Sequence, residues 1–149
     1  CKLDIYGRID ESYKERFESL MEKVTPAVRY MGMIPYDDSV KAISGYYALL
    51  FPTYWMGEGF PGTIIDAFSA GLPVIATDWN CNSEIIEHKK NGILYPNIEM
   101  DDLTAAVKWL IRHNIEVNKL KNCCLETAKN YQPGKYIQLI INEISNDKK

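Results

Sequence analysis

The sequence predicts an α/β fold, a doubly wound parallel sheet with helices on both faces, and three observations predict it. Short apolar runs of strand length recur at residues 3–6, 28–31, 46–51, 73–76 and 92–95. Between them lie segments whose apolar residues fall at helical spacing. The joining stretches are short and punctuated by Gly and Pro. Strands alternating with helices in this way build a parallel sheet through right-handed crossovers.

Residues 3–6 form a strand ended by Gly7, and Phe17, Leu20, Met21 and Val24 lie on one face of a helix over 13–24. Residues 28–31 repeat the strand. Gly32 and Pro35 interrupt it, and Asp37 or Asp38 caps a helix running to about Ser44. The unbroken apolar run 46–51, closed by Pro52, suits a strand buried on both faces. After a Gly-rich loop, 61–70 is a helix. Pro61 takes its first position, where a missing N–H costs nothing, and Gly71 and Pro73 stop it. Strand 73–76, a short helix over 82–88 and strand 92–95 come next. Leu103, Ala106, Val107 and Leu110 turn one helix face to the core. Terminal helices occupy about 116–147. Val117, Leu120, Cys124 and Ala128 form one stripe, and Ile137, Ile140, Ile141 and Ile144 form another beyond Pro133 and Gly134. The opening residues read as a strand already under way, so residues 1–149 are expected to be one partial domain of a longer protein.

The chain has 149 residues, 46% of them hydrophobic, which is enough for one ordinary domain with a core. With 17 Lys and Arg against 20 Asp and Glu, the net charge of -3 argues against nucleic acid as a partner. No apolar run approaches the ~20 residues of a spanning helix. Cys1, Cys81, Cys123 and Cys124 show neither a Cys-x-x-Cys nor matched pairs, so a soluble, reducing, cytoplasmic setting is expected. His88 and His113 stand apart without a second ligand at helical or loop spacing, and they read as surface residues; no metal and no cofactor are expected.

In a sheet of this kind ligands bind beyond the carboxyl ends of the strands, which directs attention to loops 53–61 and 77–82. The first of these loops leads directly into the helix start. With Pro61 opening the helix, the N–H groups of Gly62 and Thr63 point out of its first turn, and the helix dipole adds partial positive charge there. A phosphate docks at such a place without Lys or Arg, and Gly59 and Gly62 let the backbone approach it. Glu58 and Asp66 flank the position, and carboxylates accept hydrogen bonds from hydroxyls. A phosphate between two sugars, as in a nucleotide sugar, satisfies all three features. The plainer reading is a strand, a turn and a helix whose acids cap its start or face water.

The run from Phe51 to Thr77 resembles the signature of the family-4 glycosyltransferases, retaining enzymes of the GT-B architecture. It contains Glu58-Gly59-Phe60, then seven residues between the acids Glu58 and Asp66, then Ala70-Gly71 and Pro73-Val74-Ile75-Ala76. Val28-Arg29-Tyr30-Met31-Gly32 resembles the family's preceding strand. Thr77-Asp78, Glu84-Ile85-Ile86 and Gly92-Ile93-Leu94-Tyr95-Pro96 resemble the family's later segments, and the similarity reaches from Leu3 to about Ala128. The resemblance implies the Rossmann-like carboxy-terminal half of a two-domain enzyme and transfer of a sugar from a nucleotide-diphosphate sugar with retention and without metal. Glu58 would be catalytic at the donor sugar. Gly59, Phe60, Pro61, Gly62 and Thr63 would meet the distal phosphate, Asp66 the ribose, and Met33 with Ile34 the base. A saccharide or lipid-linked saccharide acceptor would enter through an amino-terminal domain, which is compatible with peripheral membrane association of the full-length protein.

The sequence also departs from that pattern. The second acid is Asp66 where Glu is usual, and the first strand, with the Arg and Lys that neutralise the diphosphate, does not precede Leu3. Arg8 and Lys14 read as a loop residue and a helix-face residue instead. Without that strand, five strands and an unfilled gap are expected, and the fragment is expected to be inactive by itself. Trp79 could line the acceptor cleft or pack over its own domain. Cys81 reads as a plain loop thiol, and Cys123 and Cys124 as structural. A non-catalytic nucleotide-sugar-binding module and a nucleotide-sugar epimerase on the same architecture are the competing functions.

Overall fold

The computed structural model describes residues 1–96 and 100–146. The expected end of the last helix, residue 147, lies outside them. The chain divides into two compact units, Cys1–Ala42 and Ile43–Lys149.

In the first unit, β1 (Leu3–Tyr6) pairs in parallel with β2 (Val28–Gly32), Leu3 lying opposite Val28 and Tyr6 opposite Gly32. The expected helix over 13–24 is a short 3₁₀ turn at Glu11–Tyr13 followed by α1 (Lys14–Val24). Asp10 caps the turn by accepting from the N–H of Ser12, which moves the helix start one residue along. Phe17 of α1 meets Tyr30 of β2 edge-on at 5.3 Å between ring centres. None of α1 is buried, and Leu20 and Val24 stay about two-fifths exposed. The sharpest polar contact of the unit is bidentate: Arg29 Nε and Nη2 donate to Asp4 at 2.8 and 2.7 Å. Neither Asp37 nor Asp38 caps a helix. Both sit in a 3₁₀ turn, Tyr36–Asp38, that begins after Pro35, whose fixed φ suits such a start, and α2 (Ser39–Ile43) continues from it.

In the second unit, β3 (Leu49–Phe51), β4 (Val74–Thr77) and β5 (Gly92–Tyr95) form a parallel sheet in that order. The strand expected over 46–51 is therefore shorter, because Tyr46 N–H bonds back to the Ile43 carbonyl and closes a turn. Among the described residues five strands are present, as expected, but in sheets of two and three. α3 (Gly62–Ser69), α4 (Asn82–Ile85), α5 (Met100–Arg112), α6 (Asn114–Ala128) and α7 (Pro133–Asn146) complete the unit.

The period-two alternation of β4 divides its core. Val74 and Ala76 join Ile64, Ala67 and Phe68 of α3, Ile85 of α4 and Cys124 of α6. Ile75 joins the opposite cluster with Ile93 and Tyr95 of β5, Ala106 and Leu110 of α5, and Val117 and Leu120 of α6. Helices thus cover both faces of the three-stranded sheet, as the sequence predicts. Phe68 is wholly buried, which stabilises the fold by about 3 kcal/mol. α3 ends where Gly71 adopts φ +70, a conformation that carries no Cβ penalty in glycine. The stripe on α7 stays at the surface: Ile137, Ile140, Ile141 and Ile144 are half-exposed.

Candidate functional site

The second unit brings together the carboxyl ends of β3 and β4, the start of α3, and loops 52–61 and 78–81. Its foundation is Thr77, the last residue of β4, which is buried and donates from Oγ1 to the Thr53 carbonyl at 2.7 Å. Loop 52–61 therefore begins tied to the neighbouring strand.

Three hydrogen bonds hold Glu58. Its N–H donates to the Trp55 carbonyl at 3.0 Å, closing a four-residue turn. Its carbonyl accepts from Asn80 Nδ2 at 3.1 Å. Its Oε2 accepts from Thr53 Oγ1 at 3.3 Å, so the carboxylate of this half-buried residue is oriented yet reachable. Gly57 lies beneath the Trp55 indole, where a Cβ would sit 2.9 Å from a ring carbon and push the exposed ring aside.

Pro61 is not the first helical residue. Its ψ of 96 is extended, and it occupies the cap position with α3 beginning at Gly62. The outcome for the N–H groups is nevertheless the expected one. Ile64 N–H bonds to the Pro61 carbonyl at 3.0 Å, and the N–H groups of Gly62 and Thr63 stand ahead of it at a helix start without a side-chain cap. Gly62 and Thr63 are exposed, Pro61 is buried, and a Cβ on Gly59 or Gly62 would meet open space. Asp66 is half-buried on the second turn of the same helix. Phe60 is 59% exposed and touches Tyr131 with its ring at 5.5 Å.

These features place Glu58, Gly59, Phe60, Pro61, Gly62, Thr63 and Asp66 in one loop and helix start. Met33 belongs to the first unit, where it is 69% exposed. Arg8, also of the first unit, lines an open cleft of about 230 Å³ with Tyr6, Tyr13, Phe17 and Tyr30.

Of Trp79 and Asn80 the sequence singles out Trp79, as lining the acceptor cleft or packing over its own domain, and does not single out Asn80. Trp79 packs within its own unit: its ring stands edge-on to Tyr54 at 6.0 Å, and its Nε1 donates to the Trp55 carbonyl at 3.1 Å. Asn80 adopts φ 46, a left-handed conformation that Asn tolerates better than most residues. Among the described residues no three His, Cys, Asp or Glu side chains form a metal-binding group. His113 is half-buried rather than at the surface, stacked on Trp109 with ring centres 4.5 Å apart and bonded through Nδ1 to the Trp109 carbonyl. The Glu84 carboxylate raises the Cys81 thiol above its ordinary pKa. Burial pushes Cys124 up to about 12, and its Sγ donates to the Asn91 carbonyl. Neither thiol is activated.

The family model described as glycosyl transferases group 1 matches residues 1–113. The chain belongs to this family. Among its relatives are a phosphatidyl-myo-inositol mannosyltransferase of Mycobacterium leprae, 26% identical over 131 residues, and the D-rhamnosyltransferase WbpZ of Pseudomonas aeruginosa, 24% identical over 87. Those alignments cover 87% and 58% of this chain but only 34% and 23% of the relatives. The glycosyl transferase fold is equally plain in solved structures. HepE of Anabaena in complex with UDP superposes with a TM-score of 0.84 at 18% identity, over 97% of this chain and 41% of that one. Sucrose-phosphate synthase of Thermosynechococcus elongatus superposes at 0.81 and 19% identity, over 98% and 38%. The GT-B, Rossmann-like class expected from the sequence is thereby the fold of this glycosyl transferase chain. No helix among the described residues is long and apolar enough to cross a membrane.

Proposed function

We propose that this chain supplies the donor site of a retaining glycosyltransferase that moves a sugar from a nucleotide-diphosphate sugar to a saccharide or lipid-linked saccharide acceptor. One observation carries the reading: half-buried Glu58, the uncapped helix start at Gly62 and Thr63, and half-buried Asp66 are contiguous on a single loop and helix. Outward N–H groups and the helix dipole suit a phosphate, and the two carboxylates suit the hydroxyls on either side of it.

In this reading Asp66 accepts from the ribose hydroxyls, and the N–H groups of Gly59, Gly62 and Thr63 hold the distal phosphate, with Phe60 and Pro61 shaping the turn. Glu58 binds hydroxyls of the transferred sugar and stabilises the positive charge that develops on it as the diphosphate departs. The reaction runs without a metal or other cofactor, because stabilisation of the leaving diphosphate replaces a bound cation.

Calorimetric titration of the full-length protein with UDP and with GDP tests the site. Binding of one of them at millimolar or tighter affinity, weakened at least tenfold in Asp66→Ala, is expected. An unchanged dissociation constant in that variant removes Asp66 from the ribose, and failure of both nucleotides to bind a folded full-length protein refutes the donor site.

A further inference from the structure

Loop 52–61 carries the residue assigned to the donor sugar, yet little burial holds it. Trp55, Met56 and Phe60 are 69%, 80% and 59% exposed, and the loop has no ladder of its own. Directed hydrogen bonds from outside fix it: Thr77 holds its start, and loop 78–81 holds the turn at Glu58. We infer that Trp79 and Asn80 are positioning residues for Glu58, clamping its turn by its first and last carbonyls; the functional consequence rests on the donor-site reading above.

The turn runs from Trp55 to Glu58. Trp79 Nε1 donates to the carbonyl of Trp55 at 3.1 Å, and Asn80 Nδ2 donates to the carbonyl of Glu58 at 3.1 Å while also reaching the Trp55 carbonyl at 3.5 Å. Adjacent residues of one loop thus grip both ends of the turn. The gripping loop is itself anchored in the core. Asn82 is wholly buried, its Nδ2 donates to the Thr77 carbonyl at 2.9 Å, and its N–H donates to the Trp79 carbonyl at 3.1 Å. The left-handed backbone of Asn80 aims its amide across the gap, a geometry that most side chains adopt at a cost. The chain of contacts therefore runs from buried β4 through Asn82 to Trp79, and from Trp79 and its neighbour Asn80 to the turn of Glu58. Small displacements of a group that must meet a reacting sugar cost up to about a hundredfold in rate, so losing one of two clamps should cost about tenfold.

Asn80→Gly keeps the left-handed backbone and deletes the amide. Asn80→Asp keeps the shape and turns an acceptor toward the Glu58 carbonyl. Both are made in the full-length protein beside Glu58→Gln and the double variant Glu58→Gln with Asn80→Gly. Two readouts are taken: amide hydrogen exchange of residues 54–60, and nucleotide release from UDP-glucose and GDP-mannose in turnover. Exchange at 54–60 is expected to rise at least tenfold in both Asn80 variants. The kcat is expected to fall about tenfold with UDP or GDP affinity within twofold of the parent, and the double variant should be no slower than Glu58→Gln alone. Unchanged exchange in both variants overturns the clamp. Faster exchange with parental kcat, or additive losses in the double variant, overturns the positioning role and leaves the donor site standing. Parental turnover in Glu58→Gln overturns the donor-site reading and this inference with it.

Discussion

Thr77→Val isolates the bond on which the site is founded. Thr77 is 1% exposed, and its hydroxyl donates 2.7 Å to the Thr53 carbonyl, so the hydroxyl and its acceptor meet away from water. Valine has the same shape, and the substitution removes the donor while leaving the strand and the core volume in place. The net loss of a hydrogen bond is about 1 kcal/mol, and stranding a half-buried carbonyl against a methyl group raises the total to about 1–2 kcal/mol. Equilibrium urea unfolding of the chain reads this directly. With a slope of about 1.5 kcal/mol per molar, the midpoint should fall by roughly 1 M at constant slope. Thr77→Ser is the control, because it keeps the hydroxyl and loses one methyl group worth about 1 kcal/mol. Since Thr53 also bonds to Glu58, amide exchange across 53–58 should rise in the Val variant and stay low in the Ser variant. An unchanged midpoint in Thr77→Val, or equal exchange in the two variants, would refute the view that this bond ties the loop to the sheet.

Glu58→Gln should lower transfer by at least a hundredfold in the full-length protein while nucleotide affinity holds; steady-state assays with a calorimetric titration check both. EDTA should leave turnover unchanged, and loss of activity restored by a divalent cation would contradict the metal-independent mechanism. Gly92→Ala should destabilise the chain by about 3 kcal/mol or more, since its Cβ would fall 2.4 Å from the Val74 carbonyl oxygen on the neighbouring strand; the melting temperature decides. Cys124 and Tyr95, both pushed up to about 12, chiefly by burial, from ordinary values of 9.0 and 10.0, contribute to the alkaline dependence of stability. Each holds its proton more tightly folded than unfolded, so stability is full below about pH 9 and declines as pH rises toward 12. Unfolding curves across pH 8 to 12 check this, and Cys124→Ala should flatten the lower part of the decline.

Legibility varied with the range of the interaction. Strands 28–32, 74–77 and 92–95 and the helix over 62–69 were visible to within a residue or two, because period-two and helical spacing act within a few positions. The core stripes Ala106 with Leu110, and Val117 with Leu120 and Cys124, were visible for the same reason. Elements that were misread turned on local competition among hydrogen bonds. Residues 46–48 close a turn instead of extending β3, residues 86–88 leave α4, and Pro61 is a cap rather than a first helical residue. Apolar patterning could not decide any of these.

Loop 52–61 shows the same division. Glu58, Gly59, Gly62 and Asp66 stand out as a spacing, since their roles depend on residue type and a single loop and helix start. Thr53, Thr77 and Asn80 do not, because each acts through a partner 22 to 24 residues away on another loop or strand.

By itself the sequence determined the alternation of strand and helix, the helix start after Pro61, and the two acids beside it; all are set by neighbours along the chain. Only the tertiary structure decided that five strands form sheets of two and three, that the isoleucines of α7 remain exposed, and that loop 78–81 grips the turn of Glu58. Those outcomes depend on which surfaces meet across long stretches of chain, and hydrogen bonds between distant loops leave no periodic trace in the order of residues.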